Sequence, residues 1–503
     1  MVKTTLNMKR NCAVIASATL ALLASPAVSA QYRDGVQPEE KSATQLLLDE
    51  AESSDSAIVI SLEKALEIAL SENVSVKVAD MEIEREKYAR AGTYSSLFPQ
   101  IDATGSYQRT IKKQVMYMDF DMSAYTGGSS SESSEYSGDS SESDTSSSSG
   151  GGMEIGRWNT WSAGVSASMP IINAQLWESL AVSGLSVELA VEKARSSKLD
   201  MVTQVKSAYY AVLLAKESFK VYKDVYENAV ANFELIEKKH DAQKASEMEY
   251  LRAKTTVSNA IPNVYNAESS IILTLWQLKA VIGIDLDTNI DVEGCLDDYT
   301  EHMFRDIHEN DTLNVEHNTS MRQLAIQAEQ LHKTLLMQEF ACLPTLSLAF
   351  NYTYSAMAND FNFSEYQWTP YSYVGISLSI PIFAGGKRFH AIRQARIQYD
   401  EVELQKQNTE RQLRISIRNY LTTMETSMKS FYAAEDAVES AQTSYDIVSA
   451  SYELGRATLT DLNDAQLALV QSKLSKSQAV YNFIVAKSQL EQVLGADFLE
   501  EEN

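Results

Sequence analysis

The chain has 503 residues, with 43 Lys and Arg against 68 Asp and Glu, a net charge of −25, and only 19 Gly and 8 Pro. So acidic a surface repels nucleic acid and suits a solvated body outside the cytoplasm, and the scarcity of Gly and Pro leaves few places where a helix can be broken. No phosphate-binding glycine loop, His-Glu-x-x-His or nucleophile elbow occurs, so the sequence points to no enzyme and no cofactor.

Residues 1–30 have the order of a secretory signal: Lys3, Lys9 and Arg10, an apolar run over 13–24, then small residues to Ala30, where cleavage is expected. Cys12 has no lipobox around it and leaves with the signal, so Cys295 and Cys342 remain, and the sequence does not say whether they pair. No apolar run of about 18 residues follows, so a membrane crossing would have to be made by strands. Residues 31–60 are expected to be an N-terminal arm.

From Ser61, an N-cap, the spacing of Leu62, Ala65, Leu66, Ala69 and Leu70 predicts a helix, and a second one over 74–97 ends at Pro99. The period then changes to two. Ile101, Ala103, Gly105 and Tyr107 alternate with polar residues, as do Ala163, Val165, Ala167 and Met169, then Leu346, Leu348, Phe350, Tyr352 and Tyr354, and finally Val374, Ile376, Leu378 and Ile380. These four predicted strands have membrane-spanning length and one apolar face, and Tyr107, Tyr117, Trp158, Trp161, Tyr366, Trp368 and Tyr371 gather toward their loop ends as an interfacial girdle would. Two soluble hairpins packed on helices would also alternate. If the strands do enter lipid, four cannot close a barrel, since about 8 is near the lower limit, and open edges are not tolerated there, so the chain must oligomerise.

Between the first two strands lies an acidic insertion, residues 113–157, with no internal Lys or Arg; its middle, residues 129–149, is nearly all Ser with scattered acids, cannot bury apolar area and is expected to stay disordered. Residues 173–240 predict one helix of about 100 Å at ~1.5 Å per residue. A break near 243–246 precedes a helix to Ile282 in which Pro262 is the expected kink. The pattern then recurs: helices over 319–343, 388–454 and 460–494. Pro170 and Pro381 each end a strand and open the helical stretch, and the Pro-to-Gly distance is 113 residues to Gly283 and 114 to Gly495. A duplication is the simplest reading, with repeat 1 over 61–285, an inter-repeat segment over 286–317, repeat 2 over 318–497 and a tail over 498–503. The helix seams are filled by Ala, Ser, Val and Leu, as close coiled-coil packing requires, and a closed helical bundle would use them equally. In the inter-repeat segment His302, His308 and His317 among acids are irregularly spaced for a metal and read as a solvated loop.

The residues resemble the TolC family of outer-membrane efflux channels. The resemblance rests on Ser61-Leu62-Glu63-Lys64-Ala65-Leu66 with Asn73, on Leu97-Phe98-Pro99-Gln100-Ile101 and Leu343-Pro344-Thr345-Leu346, and on Ile380-Pro381-Ile382-Phe383-Ala384-Gly385-Gly386. It rests most on residues 452–465, Tyr452 through Leu454-Gly455-Arg456-Ala457-Thr458 to Asp464-Ala465. Val74 and Thr319 depart from it, since the family commonly has Pro after Asn. The resemblance implies a mainly α chain with a membrane β-barrel part: a homotrimer whose twelve strands form one barrel in outer-membrane lipid, on a periplasmic tunnel of long helices. It also implies a periplasmic adaptor and an inner-membrane pump as partners. An extracellular coiled-coil structural or adhesive protein is the alternative, but it would not need a repeated set of strands.

The turn at 452–465 is the candidate gate. Gly455 breaks the long helix, Thr458 or Thr460 can cap the next, and Asp461 and Asp464, three apart, share a helix face. Two first-turn acids favoured by the helix dipole fit this spacing equally well. The resemblance places an aspartate double ring here, a gate residue at Tyr452, and at Ala457 an arginine that locks the closed state, which this chain lacks; Arg456 is its neighbour. Glu249 matches Asp461 at an offset of 212 residues, beside Met248 where the family has a hydrogen-bonding Thr. Gly455, Arg456 and Thr458 with Gln243 and Ala245 make the expected adaptor-contact tips.

Overall fold

The structure, a computed structural model, describes residues 58–116, 153–300 and 315–495. The signal segment, most of the arm and of the acidic insertion, Tyr117, His302, His308 and the tail lie outside the described residues.

Strand β1 (Ile58–Ile60) leads into helices α1 (Leu62–Glu72) and α2 (Val74–Ser95). Ser61 caps α1 by accepting from the Lys64 amide. The last turn of α2 tightens into bonds from Ser96 to Thr93, Leu97 to Tyr94 and Phe98 to Ser95, three residues apart. Pro99 forbids a further helical turn, so the helix stops at Ser95 and not at residue 97. Strand β2 (Gln100–Arg109), a ribbon of β3 (Gln114–Met116) and β4 (Met153–Ile155), and β5 (Asn159–Ile172) follow. Helix α3 (Ala174–Asp241) has 68 residues, about 100 Å, and turns back into α4 (Glu247–Ile282). Pro262 lies inside α4 without ending it.

After β6 (Ile290–Val292) the order recurs: α5 (Thr319–Phe340), β7 (Thr345–Ala358), β8 (Thr369–Ser379), α6 (Lys387–Glu453) and α7 (Leu459–Leu494). The matching helices have 22 and 22, 68 and 67, and 36 and 36 residues. Strand β1, at the end of the expected arm, pairs in parallel with β6 from the inter-repeat segment. Three-residue strands carry no readable period, which is why the sequence shows neither.

The helices form one layer. Toward the strands the order of packing is α2, α3, α5, α6; toward the turns it is α4, α3, α7, α6. Thus α3 and α6 run the full height while α2 over α4, and α5 over α7, are stacked end to end beside them. Each joint is fastened by a buried asparagine. The Asn73 side chain caps α2 through Oδ1, which accepts from the Ser75 amide, and its Nδ2 donates to the Val281 carbonyl at the end of α4, 2.7 Å away. The Asn318 Oδ1 accepts from Ser320 and Met321, and its Nδ2 donates to the Val493 carbonyl at 2.7 Å. Gly283 and Gly495 end α4 and α7 in the left-handed region, at φ 88° and 70°, and a side chain on Gly495 would collide with the His317 carbonyl. Arg195 on α3 donates to the Gly495 carbonyl.

The main core surrounds the first joint. Tyr209, Leu213, Leu278, Ile282, Ile417 and Phe483 are fully buried there with Ala65 and Val76, each large apolar side chain contributing about 1.5–3 kcal/mol. The Tyr209 hydroxyl donates to the Ile60 and Glu293 carbonyls, pinning the β1–β6 pair onto α3, and burial raises its pKa to about 12.

Strands β2, β5, β7 and β8 form one antiparallel sheet in that order. The register sets Ile101, Ala167, Phe350 and Val374 in one cross-strand row and Asp102, Ser166, Asn351 and Tyr373 in the next, so one face is built from the apolar residues of all four strands. Gly164 fits because a Cβ there would lie 2.8 Å from the Tyr352 carbonyl. Strand β5 does not stop at Pro170 but continues to Ile172 through a register shift. By then β2 has ended opposite Ser168, and a bulge beside a free edge accommodates a residue with no N–H. Cys295 and Cys342 are exposed and unpaired.

The joints carry a quantitative expectation. Replacing Asn318 by Ala removes a cap and a cross-joint hydrogen bond, costing ~2–3 kcal/mol. Asn318→Asp keeps the cap but sets a carboxylate oxygen in place of the donor against the Val493 carbonyl, so it should lower the denaturant midpoint of the full chain in detergent as well; a midpoint unchanged in Asn318→Asp would mean the joint bond contributes nothing.

Candidate functional site

The far ends of α3/α4 and α6/α7 are two tight hairpin tips of the same construction. The amides of Gln243 and Lys244 donate to the His240 and Lys239 carbonyls, and those of Gly455 and Arg456 to Tyr452 and Ser451. Each pair of positions is separated by 212 residues. The turn needs a left-handed residue, which is Gly455 at φ 71° in one tip and Gln243 at φ 57° in the other. A non-glycine residue bears a cost of ~1 kcal/mol there. Arg456 and Thr458 are exposed at the second tip and Ala245 is half-buried at the first.

Both tips close with a capping box. Ser246 accepts from the Glu249 amide at 3.2 Å and the Glu249 carboxylate accepts from the Ser246 amide at 2.9 Å. Thr458 accepts from the Asp461 amide at 3.2 Å, and the Asp461 carboxylate takes the Thr458 amide at 2.8 Å and hydroxyl at 2.6 Å. Thr458, not Thr460, is therefore the cap. These donors hold the Asp461 carboxyl below its ordinary value. Asp461 thus carries the local role that a first-turn acid has in any helix, whatever it does in a pore.

Asp464, one turn on, is exposed and lines a groove of about 800 Å³ between α4 and α7 with Met248, Leu251, Arg252, Leu459 and Asn463. Arg252 escaped the sequence reading, although the same 212-residue offset that pairs Glu249 with Asp461 pairs Arg252 with Asp464. The first tip therefore presents Glu and Arg where the second presents two aspartates.

Tyr452 is half-buried among the residues packed on Ile236, Ala253, Leu459 and Leu462, a small core that holds the two hairpins together. The Lys239 ammonium lies 5.5 Å from its ring centroid. Burial, and then the charge of Glu249, push its phenol pKa up. Tyr452 thus shares a small core with Ile236 and Ala253 of the other hairpin, and the charge of Glu249 acts on it from there. Ala457 is half-buried. The Arg322 guanidinium donates to Nδ1 of His317 at 3.2 Å, and among the described residues no group of three metal-ligating side chains forms.

At the opposite end of the molecule both edges of the four-stranded sheet are unpaired among the described residues, and Ile101, Val374, Ile376 and Leu378 are 60–70 % exposed. Among the described residues no helix is long and apolar enough to cross a membrane.

The family described as outer membrane efflux protein matches residues 65–284 and 313–496. The chain belongs to that family. It is 23 % identical over 349 residues to the outer membrane protein TolC of Vibrio cholerae, covering 66 % of this chain and 76 % of that protein. To TolC of Escherichia coli it is 21 % identical over 351 residues, covering 67 % and 70 %. The fold matches the crystal structure of the CmeC outer membrane channel of Campylobacter jejuni with a TM-score of 0.65 at 18 % identity, over 86 % of this chain and 85 % of that one. As a family member the protein is an outer-membrane export channel for efflux or secretion, and a coiled-coil adhesin is not favoured.

The Asp461 cap has a pH signature. A carboxyl lowered from 3.8 in the folded state contributes stability that is present above that value and is lost as pH falls through the lowered one. Hydrogen-exchange protection of the 452–464 tip, corrected for intrinsic rate, should hold from neutral pH to about 4 and fall below it. Thr458→Ala, which keeps the amide donor, should weaken that pH dependence, and Asp461→Asn should abolish it; a fall unchanged in Asp461→Asn would assign it to another group.

Proposed function

We propose that three copies of this chain assemble into one continuous duct, with a twelve-strand barrel in the outer membrane and a periplasmic tunnel of helices below it. The observation that carries this reading is the pair of free edges on β2 and β8. Four strands cannot close a barrel, and lipid does not tolerate an open edge, whereas β8 of one copy pairing with β2 of the next closes a ring of three. The helix layer supports the same operation, since α2 and α4 at one side and α6 at the other end with exposed Met81, Tyr88, Tyr265, Leu404 and Ile415. The matched lengths of the two halves support descent from a duplicated unit, with boundaries at residues 61–285 and 318–497 and the acidic insertion facing the cell exterior.

In this assembly the duct is passive, and a periplasmic adaptor and an inner-membrane pump supply recognition and energy. The adaptor meets the hairpin tips at Gly455, Arg456, Thr458, Gln243 and Ala245, which protrude furthest from the sheet. Tyr452, Glu249, Asp461 and Asp464 form the gate. Three copies bring six aspartates to the narrow end, where like charges raise one another's cost and favour cations. Arg252 lines the same groove as Asp464 and offsets part of that charge.

Two outcomes follow. Native mass spectrometry of the detergent-solubilised chain should give a trimer, and a stable folded monomer would end the proposal. In planar-bilayer recordings Asp464→Ala should weaken cation selectivity and multivalent-cation block without changing the stability of the tip, whereas Asp461→Ala should alter both; selectivity unchanged in the double variant would take these residues out of the pore.

A further inference from the structure

The loop end of the sheet carries a surface that the duct itself does not use. On the apolar face the rows run from Ile172, Leu346 and Leu378 near the helices to Tyr107, Trp161 and Ala356 at the loops. Eleven residues separate Trp161 from Ile172. At ~3.4 Å per residue and a tilt of about 40° that is roughly 29 Å of height, close to the ~25 Å apolar band of an outer-membrane barrel. The Trp161 row therefore stands at one edge of the hydrocarbon, and the residues just beyond it stand at headgroup level.

Those residues are basic. Arg109 ends β2, Lys112 and Lys113 form the bend before β3, and Arg157 precedes β5. Arg109, Lys112 and Arg157 are exposed, while Lys113 is half-buried with its ammonium 4.9 Å from the Trp158 ring centroid. The Thr110 amide donates to the Trp158 carbonyl at 2.8 Å, which draws the two strand ends together and gathers the four cations at one waist. The acids in the described parts of this rim are Glu154, Asp360 and Glu365. Beside the waist the β7–β8 connection folds back over the sheet. Phe363 packs against Trp161 at 4.9 Å, Tyr107 against Trp161 at 4.2 Å, and Asn159 donates to the Asp360 carbonyl. Phe361 and Phe363 remain 54 % and 53 % exposed, and Trp158 38 %.

We propose that this rim is a binding surface for phosphorylated membrane lipid, with Trp158, Phe361 and Phe363 seated at the boundary of the acyl chains and Arg109, Lys112, Lys113 and Arg157 on headgroup phosphates. Two features select this occupant. The cations adjoin the apolar face at the height where phosphates lie, and they concentrate positive charge on a chain of net charge −25. Guanidinium groups bind phosphate through two parallel N–H bonds, and a lysine held over an indole keeps its charge at the interface. The inference rests on the channel reading, which sets the sheet in the membrane.

The test uses the full chain in mild detergent, with native mass spectrometry of bound glycolipid carrying two, one or no phosphates on the same disaccharide. Retention should rise with phosphate number, by about tenfold or more from none to two. The variant with Arg109, Lys112, Lys113 and Arg157 all changed to Gln should flatten that dependence, and Arg109→Lys with Arg157→Lys should keep it. Equal retention of the three lipids by the unaltered chain overturns the proposal, as it would if the waist were neutralised by the chain's own acidic insertion, and needs no variant to be folded. Conductance of the same preparation in planar bilayers reports separately on the channel reading.

Discussion

Two asparagine side chains hold this architecture in register. A helix end exposes unpaired N–H groups at its start and unpaired carbonyls at its finish, and where α4 meets α2, or α7 meets α5, both kinds are brought to one buried point. Asn73 and Asn318 satisfy both, because an amide accepts through oxygen and donates through nitrogen. No other side chain of that size does so: Asp has no donor and Ser is too short to reach the far carbonyl. The glycines at the ends of α4 and α7 complete the joint by letting the chain leave in the left-handed region. Without these joints the short helices could not lie as one rod beside α3 and α6, and the layer would lose its match in length.

The hairpin tips show one residue meeting two demands. Asp461 and Glu249 are bound to the caps of their own helices, so the turn is stable without neighbouring copies, while their charges remain at the end of the layer. Asp464 has no part in a cap and lines the open groove opposite Arg252. The two tips therefore share a backbone and one acidic position, and differ in the sign of the charge at the other, Arg252 against Asp464. The halves differ in the side chains beyond the cap, while the backbone bonds of the turn, down to the pairs Lys244 to Lys239 and Arg456 to Ser451, are the same.

The sheet is the part that a single chain leaves incomplete. Its cross-strand rows are continuous from β2 to β8, with apolar residues on one face of every strand, and then stop at two edges with unpaired backbone. An exposed edge of ten or eleven residues in an isolated protein would be an aggregation hazard. In the proposed assembly those edges are the surfaces that neighbouring copies would cover.

Much of this was legible in the sequence because it is local. The period of 3.6 gave α3 within a residue at each end, the period of two gave all four long strands, and the Gly455 break with its capping threonine gave the second tip. The likeness of 452–465 to a known family then singled out this turn as the proposed gate. What sequence left out depends on residues far apart. The Asn73 bond to Val281 spans 208 positions, and nothing near Asn73 signals it. Strands β1 and β6 have three residues each, too few for a period, and exist only because they find one another across 230 positions and are pinned by Tyr209. Composition, periodicity and turn chemistry determined which segments are helix, strand and tip. Only the tertiary structure decided that Tyr452 packs with Ile236 and Ala253 of the other hairpin, that Arg252 lines the groove of Asp464, and that helices of different halves share a seam, because those are matters of which surfaces come together and not of which residues follow one another.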